Sequence, residues 1–138
     1  MTTGVVELQF PAHARYLVLA RLGLSGVAQT AGLDAEALTD LKLAVTEACS
    51  NAVQHAYPEG ADGDIRVRID LRTDRLSVEV IDRGSGFDPT SLGDWHAPAL
   101  RETGMGLSII RSVTDELAVE SGADGVGTIV RFAKTRDA

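Results

Sequence analysis

Glu47 and Asn51 stand four residues apart in Glu47-Ala48-Cys49-Ser50-Asn51, a spacing that stacks a carboxylate and a carboxamide on one face of a helix. The pair offers a proton acceptor and an oxygen ligand of the kind magnesium prefers. Further along, Asp82-Arg83-Gly84-Ser85-Gly86 joins a carboxylate to two glycines. An ionised carboxylate only accepts hydrogen bonds, so it can read the amino edge of adenine, while glycines let backbone approach base and ribose. The third segment, Gly104-Met105-Gly106-Leu107, reads as the start of a helix. Unpaired N–H groups there, clear of side-chain bulk at Gly104 and Gly106, attract phosphate oxygens. In this order the three segments imply a site for ATP with magnesium.

Taken singly, each residue also has a plainer role. Glu47 can be a solvated helix carboxylate, Asp82 a turn former before Gly84, and Gly104 and Gly106 ordinary loop residues. Asn51 can be a solvent-exposed helix residue, although the poor propensity of Asn for a helix interior invites a further reason for it. Cys49, the single cysteine, forms no internal disulfide and reads as a small buried core residue. His13, His55 and His96 show no metal-site spacing with it. There is no Gly-x-x-x-x-Gly-Lys-[Ser/Thr] phosphate loop and no His-Arg-Asp with Asp-Phe-Gly set, so two common kinase architectures are unsupported.

These residues need elements to hold them. Val5 to Phe10 reads as a strand, with Pro11 as the first residue of a helix running to about Thr30. Asp34 reads as the N-cap of a second helix, Ala35 to Ala56, with Leu33 and Leu38 as a hydrophobic staple. Its apolar stripe is Leu38, Leu41, Val45, Ala48, Ala52 and Ala56, and Asp40, Glu47, Asn51 and Gln54 occupy another side. Ile65, Val67, Ile69 and Leu71 alternate with polar residues, the pattern of a half-buried strand. Thr73-Asp74 turns it into a second strand, Leu76 to Ile81, that delivers Asp82 to the sheet end. Phe87 to Thr103, with Pro89, Gly93, Trp95 and Pro98, reads as a mobile loop and a lid. A helix from Met105 to about Thr114 and a hairpin of Leu117 to Glu120 with Thr128 to Ala133 complete the chain.

At 138 residues, with 44% hydrophobic and 24% charged content, the composition suits one globular domain. A formal charge of −7 disfavours sequence-independent binding to nucleic acid. No apolar run approaches bilayer length, and the N-terminus lacks the regions of a signal peptide, so the sequence predicts a soluble, cytoplasmic protein.

The stretch from Glu47 to the closing His55-Ala56-Tyr57, with Asp82-x-Gly84-x-Gly86-Phe87 and Gly104-Met105-Gly106-Leu107, resembles the GHKL ATPases. Within them the chain is most similar to the anti-sigma-factor serine kinases, from Leu8-Gln9-Phe10 to Gly127-Thr128-Ile129-Val130-Arg131. The resemblance implies an α+β fold, a two-layer α/β sandwich of the GHKL (Bergerat) type, with helices on one face of a mostly antiparallel sheet. Residues 1–138 would form a single histidine-kinase-like ATPase domain. It further implies Glu47 as general base, Asn51 as magnesium ligand and Asp82 as adenine acceptor, with Gly84 and Gly86 beside the base. Thr128 would complete a water-bridged contact to adenine, and Gly104, Met105, Gly106 and Leu107 would face the phosphates. His55 and Arg101 are further phosphate candidates, each with a plain alternative as a helix-end or solvated residue, and Arg21 is a candidate partner contact.

The expected function is that of an anti-sigma factor, which binds a sigma factor and phosphorylates a serine or threonine of a STAS-type antagonist with Mg-ATP. Homodimerisation is implied by the resemblance, and neither nucleic acid nor a membrane is an expected partner. The alternative is an ATP-binding interaction module without phosphoryl transfer. The catalytic domain of a histidine kinase fits less well, since no helical segment bearing an acceptor histidine precedes the nucleotide motifs.

Overall fold

The computed structural model describes residues 3–56, 63–84, 98–122 and 126–136, with backbone alone for residues 55–56 and 98–105. Five strands, β1 (Gly4–Pro11), β2 (Asp64–Leu71), β3 (Arg75–Asp82), β4 (Glu116–Ser121) and β5 (Thr128–Thr135), form one sheet in the order β1-β2-β3-β5-β4. Every neighbouring pair is antiparallel. Three α-helices, α1 (Leu17–Ala31), α2 (Ala35–Asn51) and α3 (Pro98–Val113), cover it, α2 lying between the other two and contacting β3 and β5. The expected α+β arrangement, a helical layer on an antiparallel sheet, is what the chain adopts.

Period-two alternation decides which sheet face meets the helices. Ile65, Val67, Ile69 and Leu71 of β2 and Leu76, Val78 and Val80 of β3 are buried against Leu24, Leu41, Val45, Leu107, Ile110 and Phe132. On the opposite face a row of charges crosses the strands. Arg68 lies 3.6 Å from Glu7 and 3.1 Å from Glu79, and Arg131 lies 3.2 Å from Glu79 and 3.0 Å from Glu120. The register sets Glu7 opposite Arg68, Arg68 opposite Glu79 and Glu79 opposite Arg131. Each such surface pair contributes at most about 1 kcal/mol, but a one-residue slip would turn the whole row into the core.

Asp34 caps α2 as expected, its side chain accepting from the Ala37 N–H at 2.8 Å. Lys134 of β5 pairs with Asp40 at 2.9 Å, fixing the first half of α2 at the end of β5 where Lys134 faces Leu76 of β3. From Asp40 to Asn51 a helix rises about 16 Å, close to the roughly 20 Å a strand needs from Leu76 to Asp82.

Three local expectations are corrected. Pro11 is the last residue of β1, paired with Asp64, and α1 begins only at Leu17 after a single 3-10 turn. An edge strand tolerates proline because one side of its backbone has no partner. Gly23, which weakens the intrinsic helix preference of α1, sits where a Cβ would come within 2.6 Å of Leu8 Cδ1, so the glycine lets the helix close on β1. The expected helix from Ala35 to Ala56 is α-helical to Asn51 and π-helical from Ala52 to Ala56. Finally, α3 starts at Pro98 rather than Met105. Proline suits a first helical turn, and Ala99, Leu100, Arg101 and Glu102 favour helix, so residues 98–103 belong to the helix and not to a loop.

Candidate functional site

Asp82 follows Leu76, Val78 and Val80 on the buried side of β3, so the same alternation that builds the core places a carboxylate there. It is only 7% exposed. One oxygen accepts the Gly84 N–H at 3.0 Å, and the backbone N–H of Thr128 donates to the same carboxylate. Burial raises the pKa above the ordinary 3.8, and these two N–H groups act against the rise. Across the sheet, β5 pairs Thr128 with Asp82, and Thr128 is likewise buried. The family resemblance implies that the two act together, and the β3–β5 register sets them side by side.

Gly127 is the residue that reasoning missed. Its φ is +76°, and a Cβ there would fall on the Asp82 carbonyl oxygen and within 2.8 Å of Arg83 Cα. Only glycine accepts both the left-handed backbone and that approach. The available signal was a glycine at the entrance of a strand, directly before the threonine that faces a buried carboxylate.

Glu47 and Asn51 occupy successive turns at the end of α2, both half-buried. Among the described residues Glu47 has no hydrogen-bond or ion-pair partner, which leaves its carboxylate available. The Asn51 Nδ2 is buried and has no acceptor among the described residues. Beside it lies Gly106 of α3, where a Cβ would stand 2.7 Å from that nitrogen. The π-helical segment begins directly after Asn51, a distortion often found at functional sites.

The expected phosphate segment differs from expectation. Gly104 and Gly106 lie more than one turn inside α3, where backbone N–H groups are committed to helical hydrogen bonds and are not free helix-start donors. Leu107 is buried in the core. For Met105 and Arg101 the backbone places both in α3, and for His55 in the π-helical segment. Gly86, Trp95 and the expected lid from Phe87 to residue 97 lie outside the described residues, as does Tyr57. Arg21 is exposed on α1.

Cys49 is fully buried and its thiol pKa is pushed up to about 12 by desolvation, so it is a core residue, as the sequence suggested. Among the described residues no group of three or more His, Cys, Asp or Glu side chains could hold a metal ion. A cation at Asn51 would take few protein ligands, which suits magnesium shared with phosphate oxygens. The donor set fits an adenine nucleotide: an acceptor-only carboxylate with a buried hydroxyl beside it, and a carboxamide at a helix end. A hollow of about 550 Å³ is lined by Asp70, Arg72, Asp74, Arg75 and Ser77, at the far end of β3 from Asp82. Its arginines are already paired with its acids. No helix among the described residues is long and apolar enough to cross a membrane.

The helical layer on an antiparallel sheet defines a domain of the GHKL type, and comparison with known proteins agrees. Residues 10–134 match the histidine kinase-like ATPase domain. The chain belongs to that family, in the branch of the RsbW anti-sigma factor kinases. It is 38% identical over 141 residues to the serine-protein kinase RsbW of Bacillus pumilus, covering 95% of this chain and 87% of that one. With the serine-protein kinase RsbW of Bacillus subtilis it shares 40% identity over 124 residues, 84% of this chain and 78% of the other. The crystal structure of the RsbU and RsbW domains of a Mycobacterium tuberculosis protein superposes with a TM-score of 0.72 at 23% identity, over 99% of this chain and 34% of that chain, so this chain spans about a third of that protein. The mycobacterial sensor histidine kinase MprB shares the fold at a TM-score of 0.58 and 18% identity, over 93% of this chain and 97% of that one.

Proposed function

We infer that this chain is an anti-sigma factor which binds its sigma factor and transfers the γ-phosphoryl group of Mg-ATP to a serine or threonine of a cognate antagonist. The observation that carries the reading is the buried Asp82 carboxylate, held on the core face opposite Thr128, in a chain of the RsbW branch. Bound Mg-ATP supplies the phosphoryl group and the charge that offsets its transfer. Asp82 accepts a hydrogen bond from the adenine amino group, with Thr128, Gly84 and Gly86 around the base. Asn51 turns its amide oxygen to magnesium, and Glu47, one turn earlier, orients the partner hydroxyl and takes its proton. His55, Arg101 and the backbone of Gly104, Met105, Gly106 and Leu107 take the phosphate side. For Gly104 and Gly106 that contact requires the first turns of α3 to give up internal hydrogen bonds. Arg21 and the exposed Val18, Leu19 and Leu22 of α1 provide the partner face. The chain acts as a single domain and as a homodimer, in the cytoplasm with its partners.

Incubation with γ-labelled ATP and candidate antagonists encoded beside this chain tests the reading. Label should reach an antagonist serine or threonine, and Glu47→Ala should slow single-turnover transfer about a hundredfold while leaving ATP affinity within about threefold. An unchanged single-turnover rate in Glu47→Ala would remove the base. ATP binding with no labelled antagonist would favour the interaction module without phosphoryl transfer.

A further inference from the structure

Two of the site's segments touch at the end of α2. The nearest neighbours of a Cβ built on Gly106 are three atoms of one side chain: Asn51 Nδ2 at 2.7 Å, Oδ1 at 3.1 Å and Cγ at 3.3 Å. Gly106 is buried, and among the described residues the Asn51 Nδ2 has no hydrogen-bond acceptor. A buried donor without an acceptor is unfavourable, so native proteins keep few of them. Among the described residues the carboxamide is therefore placed by shape, against the bare α-carbon of α3, and not by hydrogen bonding of its nitrogen.

We propose that Gly106 is a positioning residue for Asn51: the missing side chain forms the seat that fixes the Asn51 carboxamide and couples the placement of α3 to whatever Asn51 holds. The functional part rests on the reading of Asn51 as a magnesium ligand. It goes beyond that reading because Gly106 acts here on a side chain of the protein, separately from any backbone contact to phosphate. With α3 seated, the amide oxygen and nitrogen of Asn51 are limited to a narrow range of orientations, and a cation needs only the oxygen. A methyl group at position 106 has to displace either the carboxamide or the helix, since a Cβ at 2.7 Å is closer than real contacts allow.

Urea unfolding without nucleotide decides the seat, using wild type, Gly106→Ala, Asn51→Ala and the double variant. Inside a helix alanine is favoured over glycine by roughly fivefold in the folding equilibrium. With Asn51 in place the methyl group has to push the end of that flexible side chain out of its seat, which cancels the gain, so Gly106→Ala should leave the folding equilibrium no higher than wild type. In the Asn51→Ala background all three crowding atoms are gone, and the same substitution should raise it by about fivefold. Should Gly106→Ala alone fail to fold, recovery of folding in the double variant is the expected outcome. An equal effect in both backgrounds, including failure to fold in both, overturns the seat.

Calorimetry of ATP binding, with magnesium and with excess chelator, tests the positioning. Gly106→Ala should lose about tenfold more ATP affinity with magnesium than in chelator, where only its backbone contact to phosphate is disturbed. Equal losses in both conditions would overturn the positioning role and assign Gly106 to phosphate alone. Absence of ATP binding by wild type would refute the nucleotide reading, while the unfolding comparison would still decide whether Gly106 seats Asn51.

Discussion

Replacing Asp82 by asparagine separates what the carboxylate does for a nucleotide from what it costs the fold. The carboxylate is 7% exposed and accepts N–H groups from Gly84, at 3.0 Å, and Thr128. Asparagine keeps one acceptor oxygen and turns the other into a donor, so one of these N–H groups loses its partner, at about 1 kcal/mol. Removing a buried charge offsets that loss, because burial holds the Asp82 pKa above 3.8. The sign follows from linkage: a raised native pKa stabilises the wild type fully below 3.8, and that increment is lost as pH rises through the native value. Asp82→Asn lacks the titration. Its stability relative to wild type should therefore climb as pH rises above 3.8 and level off once pH passes the raised native value, within about 1 kcal/mol of wild type. ATP should respond much more strongly. Loss of a hydrogen bond to a charged acceptor, about 1.5–3 kcal/mol, corresponds to roughly ten- to hundredfold weaker binding. Urea unfolding across this pH range and calorimetry with ATP and GTP measure both quantities. Equal ATP affinity of the two proteins would refute the adenine role, and a pH-independent stability difference would refute the buried-charge argument.

Gly127→Ala should cost about 3 kcal/mol or more, since the Cβ meets the backbone of Asp82 and Arg83 at a φ of +76°; a thermal midpoint within a degree of wild type would contradict that. Asp115 accepts the Thr135 N–H at 2.7 Å and its hydroxyl at 3.0 Å, and these bonds lower its pKa. Its contribution is present above the ordinary carboxylate range and lost as pH falls through the lowered native value, so Asp115→Asn should weaken the protein at neutral pH and much less in acid below that value. Cys49, with a pKa pushed up to about 12, should resist thiol reagents in the native protein and react within minutes in urea; rapid native labelling would show that α2 opens locally.

The sequence by itself determined the core and the alternation that orders it. Ile65 to Leu71 and Leu76 to Val80 could bury only one face, and continuing that alternation puts Asp82 on the buried side as well. The cap at Asp34 and the spacing of Glu47 and Asn51 were legible for the same reason: they depend on local geometry that a few neighbouring residues set. Non-local contacts were not legible. That Thr128 faces Asp82, implied beforehand only by family resemblance, follows physically from the β3–β5 register, that Gly127 must be glycine from the passing backbone of another strand, and that Gly106 supports Asn51 from the packing of α3 on α2. The start of α3 at Pro98 belongs with them, because proline and glycine are punctuation in a sequence but are tolerated in a helix that gains its stability from burial of Leu107 and Ile110. Short-range chemistry is written in spacing, whereas a site assembled from distant segments exists only once the sheet register and helix packing bring those segments together.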